Sequence, residues 1–181
     1  MFLRPFLLSA ALALSALPAL AETAIAPEVS PPGDIPDNQA FIPFAGQGFT
    51  VKVPEGWAQS VAGDTTTFAD KFNTIRVILL PDPGAKGPEA GKDALIAALS
   101  QGRAVTVTKS SVIKTAAGPA LHVAFDSNSE PDPVTTKQLR QENEAYVWGK
   151  GGHMVELILS APKGADNVDS WRLISSSFRW K

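Results

Sequence analysis

His122 and His153 are the chain's two histidines, and it has no cysteine. These facts narrow the available chemistry. A hydrolase needs a nucleophile within reach of a base. Serines are plentiful, but no Gly-x-Ser-x-Gly elbow occurs. The run Ser175-Ser176-Ser177 falls where a C-terminal helix is expected and reads as a solvated face. A hydrolase would have to use His122 or His153 as its base. Zinc takes three or four ligands from His, Cys and carboxylates. Glu142, Glu144 or Glu156 could join the histidines, yet no His-Glu-x-x-His spacing supports such a site. Asp126-Ser127-Asn128-Ser129-Glu130 imitates the start of a calcium loop, but Pro131 stands where the tight turn needs glycine. Lys137 then takes the place of the bidentate glutamate. Gly149-Lys150-Gly151-Gly152 lacks the spacing and the following hydroxyl of a phosphate loop. The expectation is no catalytic residue, no metal and no cofactor.

The remaining constellation is aromatic. Lys137–Trp148 and His153–Ser160 read as two strands joined through Gly149-Lys150-Gly151-Gly152. A four-residue loop would place Trp148 opposite His153, Tyr146 opposite Val155, Glu144 opposite Leu157 and Glu142 opposite Leu159. One face then carries the chain's only tyrosine, a tryptophan and a histidine. Tyrosine and tryptophan combine apolar area with a polar tip, which suits them to binding surfaces. They serve equally as core beneath a helix. Trp180, between Arg179 and Lys181, is either an exposed anchor or a plug at a sheet edge. Tyr146, Trp148, His153 and Trp180 are the candidate binding residues.

These residues need elements to position them. Met1–Ala21 reads as a secretory signal: Arg4 near the start, an apolar run Phe6–Leu17, and small residues at Ala19-Leu20-Ala21. The apolar run is shorter than the roughly 20 residues that span a bilayer, so no transmembrane segment is expected after cleavage. Its removal leaves roughly 160 residues, enough for one core. Residues 22–40 hold Pro27, Pro31, Pro32 and Pro36, four acidic residues and no Lys or Arg. They read as a disordered, acidic tether. A single domain is expected over residues 41–181. The net charge of −2, made more negative by loss of Arg4, carries no basic patch, so nucleic acid is not an expected partner.

Within that domain, Phe49–Val53 alternates as a half-buried strand does, and Pro54-Glu55-Gly56 ends it, with Trp57 folding back onto the core edge. Thr65–Ala69 and Ile75–Leu80 read as further strands. The second is nearly continuous in apolar residues and is expected centrally, covered on both faces. Pro81-Asp82-Pro83-Gly84 is a break, and Ala90–Gln101 has helical spacing that Gly102 stops. Val105–Lys114 and Ala120–Asp126 are strand candidates, and Ser127–Pro133 reads as a loop. A helix over Asp166–Ser177 is expected, capped by Asp166 or Asn167. Its stripe of Val168, Trp171, Ile174 and Phe178 should face the sheet. The pattern implies an α+β domain: an antiparallel sheet of about six or seven strands packed with helices.

Phe49-x-Val51-x-Val53-Pro54-x-Gly56-Trp57 resembles the opening strand of PsbP-like proteins. Those share an α-β-α sandwich with bacterial lipoproteins of the LpqN type and a eukaryotic Ran-binding import factor. Pro131-Asp132-Pro133-Val134-Thr135, Glu142-Asn143-Glu144-x-Tyr146, Pro162–Arg172 and Ser177-Phe178-Arg179-Trp180 resemble an exported bacterial subgroup of that fold. The likeness covers about Phe41–Lys181 and implies a scaffold, assembly factor or adaptor. The lipoprotein relatives carry an anchoring cysteine that this chain lacks. The resulting expectation is a non-catalytic interaction or assembly module, periplasmic or secreted, that binds a protein partner in the cell envelope. The alternatives are a small-molecule or lipid binder with a pocket between sheet and helices, and a hydrolase using His122 or His153.

Overall fold

A computed structural model describes residues 22–81 and 91–181. The expected signal segment 1–21 and the break at 82–84 lie outside them. The chain forms two antiparallel sheets. The small one is built from β1 (Phe41–Ala45), β2 (Phe49–Pro54) and β10 (Arg179–Trp180), in the order β1-β2-β10. The large one takes β3 (Ala58–Ala62), β4 (Thr65–Asp70), β5 (Asn73–Pro81), β6 (Thr106–Thr115), β7 (Gly118–Asn128), β8 (Arg140–Lys150) and β9 (His153–Pro162). Its order is β3-β4-β5-β9-β8-β7-β6. Helices α1 (Lys92–Leu99) and α2 (Val168–Ser176) complete the architecture. The large sheet has the strand number and antiparallel sense expected. The separate small sheet was not foreseen, because it joins Phe49–Pro54 to a two-residue strand at the far end of the chain.

The large sheet is covered on both sides. On one face Ile75, Val77, Trp148, Val155, Leu157 and Leu159 pack with Phe49, Val51 and Val53 of the small sheet. Trp171 and Ile174 of α2 and the following Phe178 join this same core. The other face carries Leu121, Val123, Phe125, Ala145, Val147 and Ile158, against which Leu95 and Leu99 of α1 pack. The strand buried on both faces is β9, whose residues Val155–Pro162 are all buried. It holds that position because it lies between β5 and β8 at the middle of the sheet. The expectation of a doubly covered Ile75–Leu80 is therefore corrected: Ile75 and Val77 are buried, but Arg76 on the opposite face is exposed.

The β8–β9 hairpin turns through two residues rather than four. Gly151 and Gly152 have φ of 62° and 81°, the left-handed conformation that a tight hairpin turn requires and glycine supplies. Lys150 thus faces His153, Trp148 faces Val155, Tyr146 faces Leu157 and Glu144 faces Leu159. The pairing moved by an even number of residues, so every side chain kept its expected face. In α2, Trp171 and Ile174 are buried as expected, whereas Val168 is exposed. Neither Asp166 nor Asn167 caps the helix through its side chain, because Asn167 is used elsewhere.

That use corrects the tether. Residues 22–40 run as a strap along the domain. Asn167 accepts a hydrogen bond from the Ile35 amide at 2.7 Å and donates to the Gly33 carbonyl at 3.0 Å. Asn73 donates to the same carbonyl at 2.8 Å, and Ile35 is buried. Further back, the Asn128 carboxamide bonds the backbone of Thr23 and Ile25. The prolines exclude helix, as expected, but an extended strand of chain still offers amides to buried asparagines. The polar side chains of the body satisfy them.

Candidate functional site

The expected aromatic constellation is real, but it is core. A row of rings crosses the sheet: His122 stacks on Tyr146 at 4.6 Å, Tyr146 on Trp148 at 5.8 Å, and Trp148 on Phe178 at 4.1 Å. Phe178 continues it to Phe49 at 5.6 Å. Cross-strand pairing of His122 with Tyr146 sets the first step, and α2 supplies the lid. Trp148 is 0% exposed and its indole N–H donates to Thr115 Oγ1 at 3.0 Å. Tyr146 is 7% exposed and its hydroxyl donates to Glu144. Neither ring is available as a surface anchor. The physical reason is that α2 and the small sheet need a flat apolar floor, and these residues are that floor. His153 is exposed at the hairpin end, apart from the other three candidates. Trp180 is half-buried: it pairs with Phe49 and meets Phe178 edge-on at 5.2 Å. It therefore plugs the edge of the small sheet.

His122 Nε2 lies 3.6 Å from Glu144 Oε2, an electrostatic contact rather than a hydrogen bond. The atom is buried without a hydrogen-bond partner. Burial pushes the Glu144 carboxyl up, but the contacts from His122 and Tyr146 outweigh it and hold the group below its ordinary value. Burial and the neighbouring Glu144 together raise the Tyr146 phenol far above its usual range. Among the described residues, no serine hydroxyl hydrogen-bonds to either imidazole, and no group of three His, Asp or Glu is placed to hold a metal ion. Nearby, Lys163 donates to Asp126, and Glu142 is raised by burial.

The open site lies on the other face, beside the C-terminal end of α1. There a groove of about 1000 Å³ crosses the sheet. Its floor departs from the apolar pattern of that face. Asn143 faces Phe125 on one side and Ser160 on the other, and Ser160 faces Thr74. This places a row of small polar groups across β8, β9 and β5, where Ala145 and Ile158 occupy the next level. Asn143 donates to the Phe125 carbonyl at 3.2 Å and to Ser127 Oγ at 2.9 Å. Ser160 is 7% exposed, and its hydroxyl makes no hydrogen bond among the described residues. Arg76 and Lys71 line the groove at its β5 side.

The opposite wall mixes the cations Arg103 and Lys137 with the acids Glu130 and Asp132, and its cations are already engaged. Lys137 Nζ meets Glu28 of the strap at 2.7 Å. The Glu22 carboxylate accepts from Asn128 at 3.0 Å, Gln138 at 2.9 Å and Arg103 at 3.0 Å. Those contacts, Asn128 foremost, hold the Glu22 carboxyl below its ordinary value. Beneath α1, Glu156 is buried, which raises its carboxyl despite the attraction of Arg76. None of the groove residues stands out in sequence. Asn143, Ser160, Thr74 and Arg76 become a group only when β5, β9 and β8 align. The one available signal was polar residues at inward positions of otherwise apolar strands.

No family profile matches the chain, and no curated protein matches it in sequence. Solved structures do resemble it. The cyanobacterial PsbP of Synechocystis sp. PCC 6803 superposes with a TM-score of 0.56 at 14% identity, covering 84% of this chain and 99% of that one. The Ran-binding protein Mog1p of Saccharomyces cerevisiae gives 0.54 at 11% identity, covering 79% and 95%. LpqN of Mycobacterium tuberculosis, described as involved in cell envelope biogenesis, gives 0.50 at 15% identity, covering 79% and 91%. The chain therefore has the PsbP-like α+β fold, with two sheets and helices on either side of the larger one.

Proposed function

We propose that this protein is an exported, non-catalytic interaction module that binds a protein partner in the cell envelope. One observation carries the reading. The face of the large sheet beside α1 is open as a groove of about 1000 Å³ over buried polar side chains. Asn143 and Ser160 turn polar atoms toward that groove, and a bound partner can hydrogen-bond them in place of water. Export is read from the leader-like residues 1–21. Among the described residues no helix is long and apolar enough to cross a membrane. The same fold occurs in a protein described as Ran-binding and in another described as involved in cell envelope biogenesis, which suits a scaffold that presents surfaces. A shared fold alone does not transfer function. A second reading, a small-molecule binder, draws on the same groove, whose volume is at the upper end of ligand pockets.

The test is crosslinking of tagged protein in its native cells, followed by capture and mass spectrometry. The expected result is one abundant envelope protein, captured equally well after His122→Gln and His153→Gln. Absence of any captured protein would overturn the reading, and native mass spectrometry of the exported protein would then address the small-molecule alternative. Loss of function with either histidine while capture persists would point to chemistry instead.

A further inference from the structure

We infer that the groove beside α1 binds an extended peptide segment bearing carboxylate side chains, with Arg76 and Lys71 taking the carboxylates and the Asn143–Ser160–Thr74 row taking the peptide amides. This rests on the interaction-module reading and names the site and the chemistry of the partner.

The floor supports it first. Ser160 is more than nine-tenths buried and has no hydrogen-bond partner among the described residues, yet it lines the groove. Asn143 spends its amide hydrogens on Phe125 and Ser127, which leaves its carbonyl oxygen as an acceptor. A hydroxyl and a carbonyl side by side present a donor and an acceptor at short interval. A peptide backbone offers the complementary pair in each residue. The row from Phe125 on β7 to Thr74 on β5 crosses three strand spacings, roughly 14 Å. That length accommodates about four extended residues at roughly 3.3 Å each.

Charge selects an acidic segment. Two cations of the wall nearest the strap, Arg103 and Lys137, hold Glu22 and Glu28 of that strap. The strap is itself an extended acidic polypeptide, and Glu28 and Pro32 line the groove. The strap and the acids Glu130 and Asp132 thus neutralise this wall, and the selection for carboxylates falls to the β5 side. On the opposite side Lys71 and Arg76 form no close ion pair among the described residues, although Arg76 attracts the buried Glu156 at longer range. Lys71 sits in a two-residue turn between Asp70 and Asn73 with φ of 49°, uncommon for a non-glycine residue. Phe72 beside it is 44% exposed at the groove and offers an apolar contact. A glycan would use the hydroxyls of the floor, but it makes no use of the two cations unless it is acidic.

The test uses the exported protein and a fluorescein-labelled decapeptide of alternating glutamate and valine, with binding read by polarisation. Controls are the same peptide with lysine for glutamate and a neutral hexasaccharide. The expected result is binding of the acidic peptide alone. Arg76→Glu should weaken it at least tenfold, Ser160→Val at least threefold, and Lys150→Glu, on the far end of the hairpin, should leave it unchanged. Backbone amide shifts should cluster at Thr74, Asn143 and Ser160. Circular dichroism checks that each variant is folded; Arg76 and Lys150 are exposed, so their replacement leaves the core intact. Equal binding of the lysine peptide, no effect of Arg76→Glu, or binding of the hexasaccharide in place of the peptide overturns the inference. If the cellular partner is still captured by the Arg76→Glu protein, the groove is wrong while the interaction module stands.

Discussion

Trp148 is fully buried between Phe178 and Tyr146, and its indole N–H is satisfied by Thr115. Truncating such a ring removes its contacts and leaves a cavity, so Trp148→Ala should cost about 3–5 kcal/mol in urea unfolding. A cost below about 1 kcal/mol would return the ring to the surface. Two carboxylates on opposite faces predict opposite pH effects. Burial works against ionised Glu144, but contacts to His122 and Tyr146 prevail and depress its folded value. Its contribution is therefore present above the reference value of 4.5 and is lost as pH falls through the folded value. Glu156 is raised by burial, so its ionisation opposes folding, and that penalty vanishes at pH well below 4.5. Glu156→Gln should raise the urea midpoint at about pH 7 and merge with the parent protein near about pH 3. Glu144→Gln should lower the midpoint at about pH 7, with the deficit shrinking as acid is added. The same sign for both variants would refute this assignment.

At the scale of elements, the β8–β9 hairpin depends on two glycines in the left-handed region. Asparagine tolerates that region and a β-branched residue does not. Gly151→Asn should change stability by less than about 0.5 kcal/mol, while Gly152→Val should cost about 1–2 kcal/mol. Equal melting temperatures for the two variants would mean the turn is not built this way. The hairpin also shows how much of an element is legible in sequence. Alternation assigned Tyr146, Trp148 and Glu144 to one face, and the assignment holds, with Val147, Ala145 and Asn143 on the other. Loop length was not legible, because Gly149-Lys150-Gly151-Gly152 permits either a two- or a four-residue turn. Pairing along the whole length of β8 and β9 decides between them. For Val168 the helical stripe failed at its first turn, where the side chain is left exposed while Trp171 and Ile174 are covered.

Across the whole molecule, the strap ties residues 22–36 to one end of the large sheet, from the end of β7 to the start of β5. Its anchors are buried asparagines: Asn167 and Asn73 near Gly33 and Ile35, and Asn128 near Thr23 and Ile25. Asn167→Ala removes the partner of the Ile35 amide and one donor to Gly33, leaving a buried amide unsatisfied at a cost of about 1–3 kcal/mol. Hydrogen exchange of the amides of residues 33–35 should speed up by at least tenfold, while the central strand β9 keeps its protection relative to global unfolding. Unchanged exchange would mean that the strap is held by other contacts.

Composition and periodicity by themselves determined the α+β class, the antiparallel sheet, the two helices and the face on which each hairpin residue lies. Those properties follow from alternation along single segments, which local sequence records. Only the tertiary structure decided that Tyr146 and Trp148 are floor rather than anchors, since exposure depends on what α2 and the small sheet cover. Only it brought Thr74, Asn143 and Ser160 into one row, because they meet through the pairing of β5, β9 and β8. The strap likewise lay beyond sequence reasoning: proline content reports what a segment cannot form, not which distant side chains will bind it.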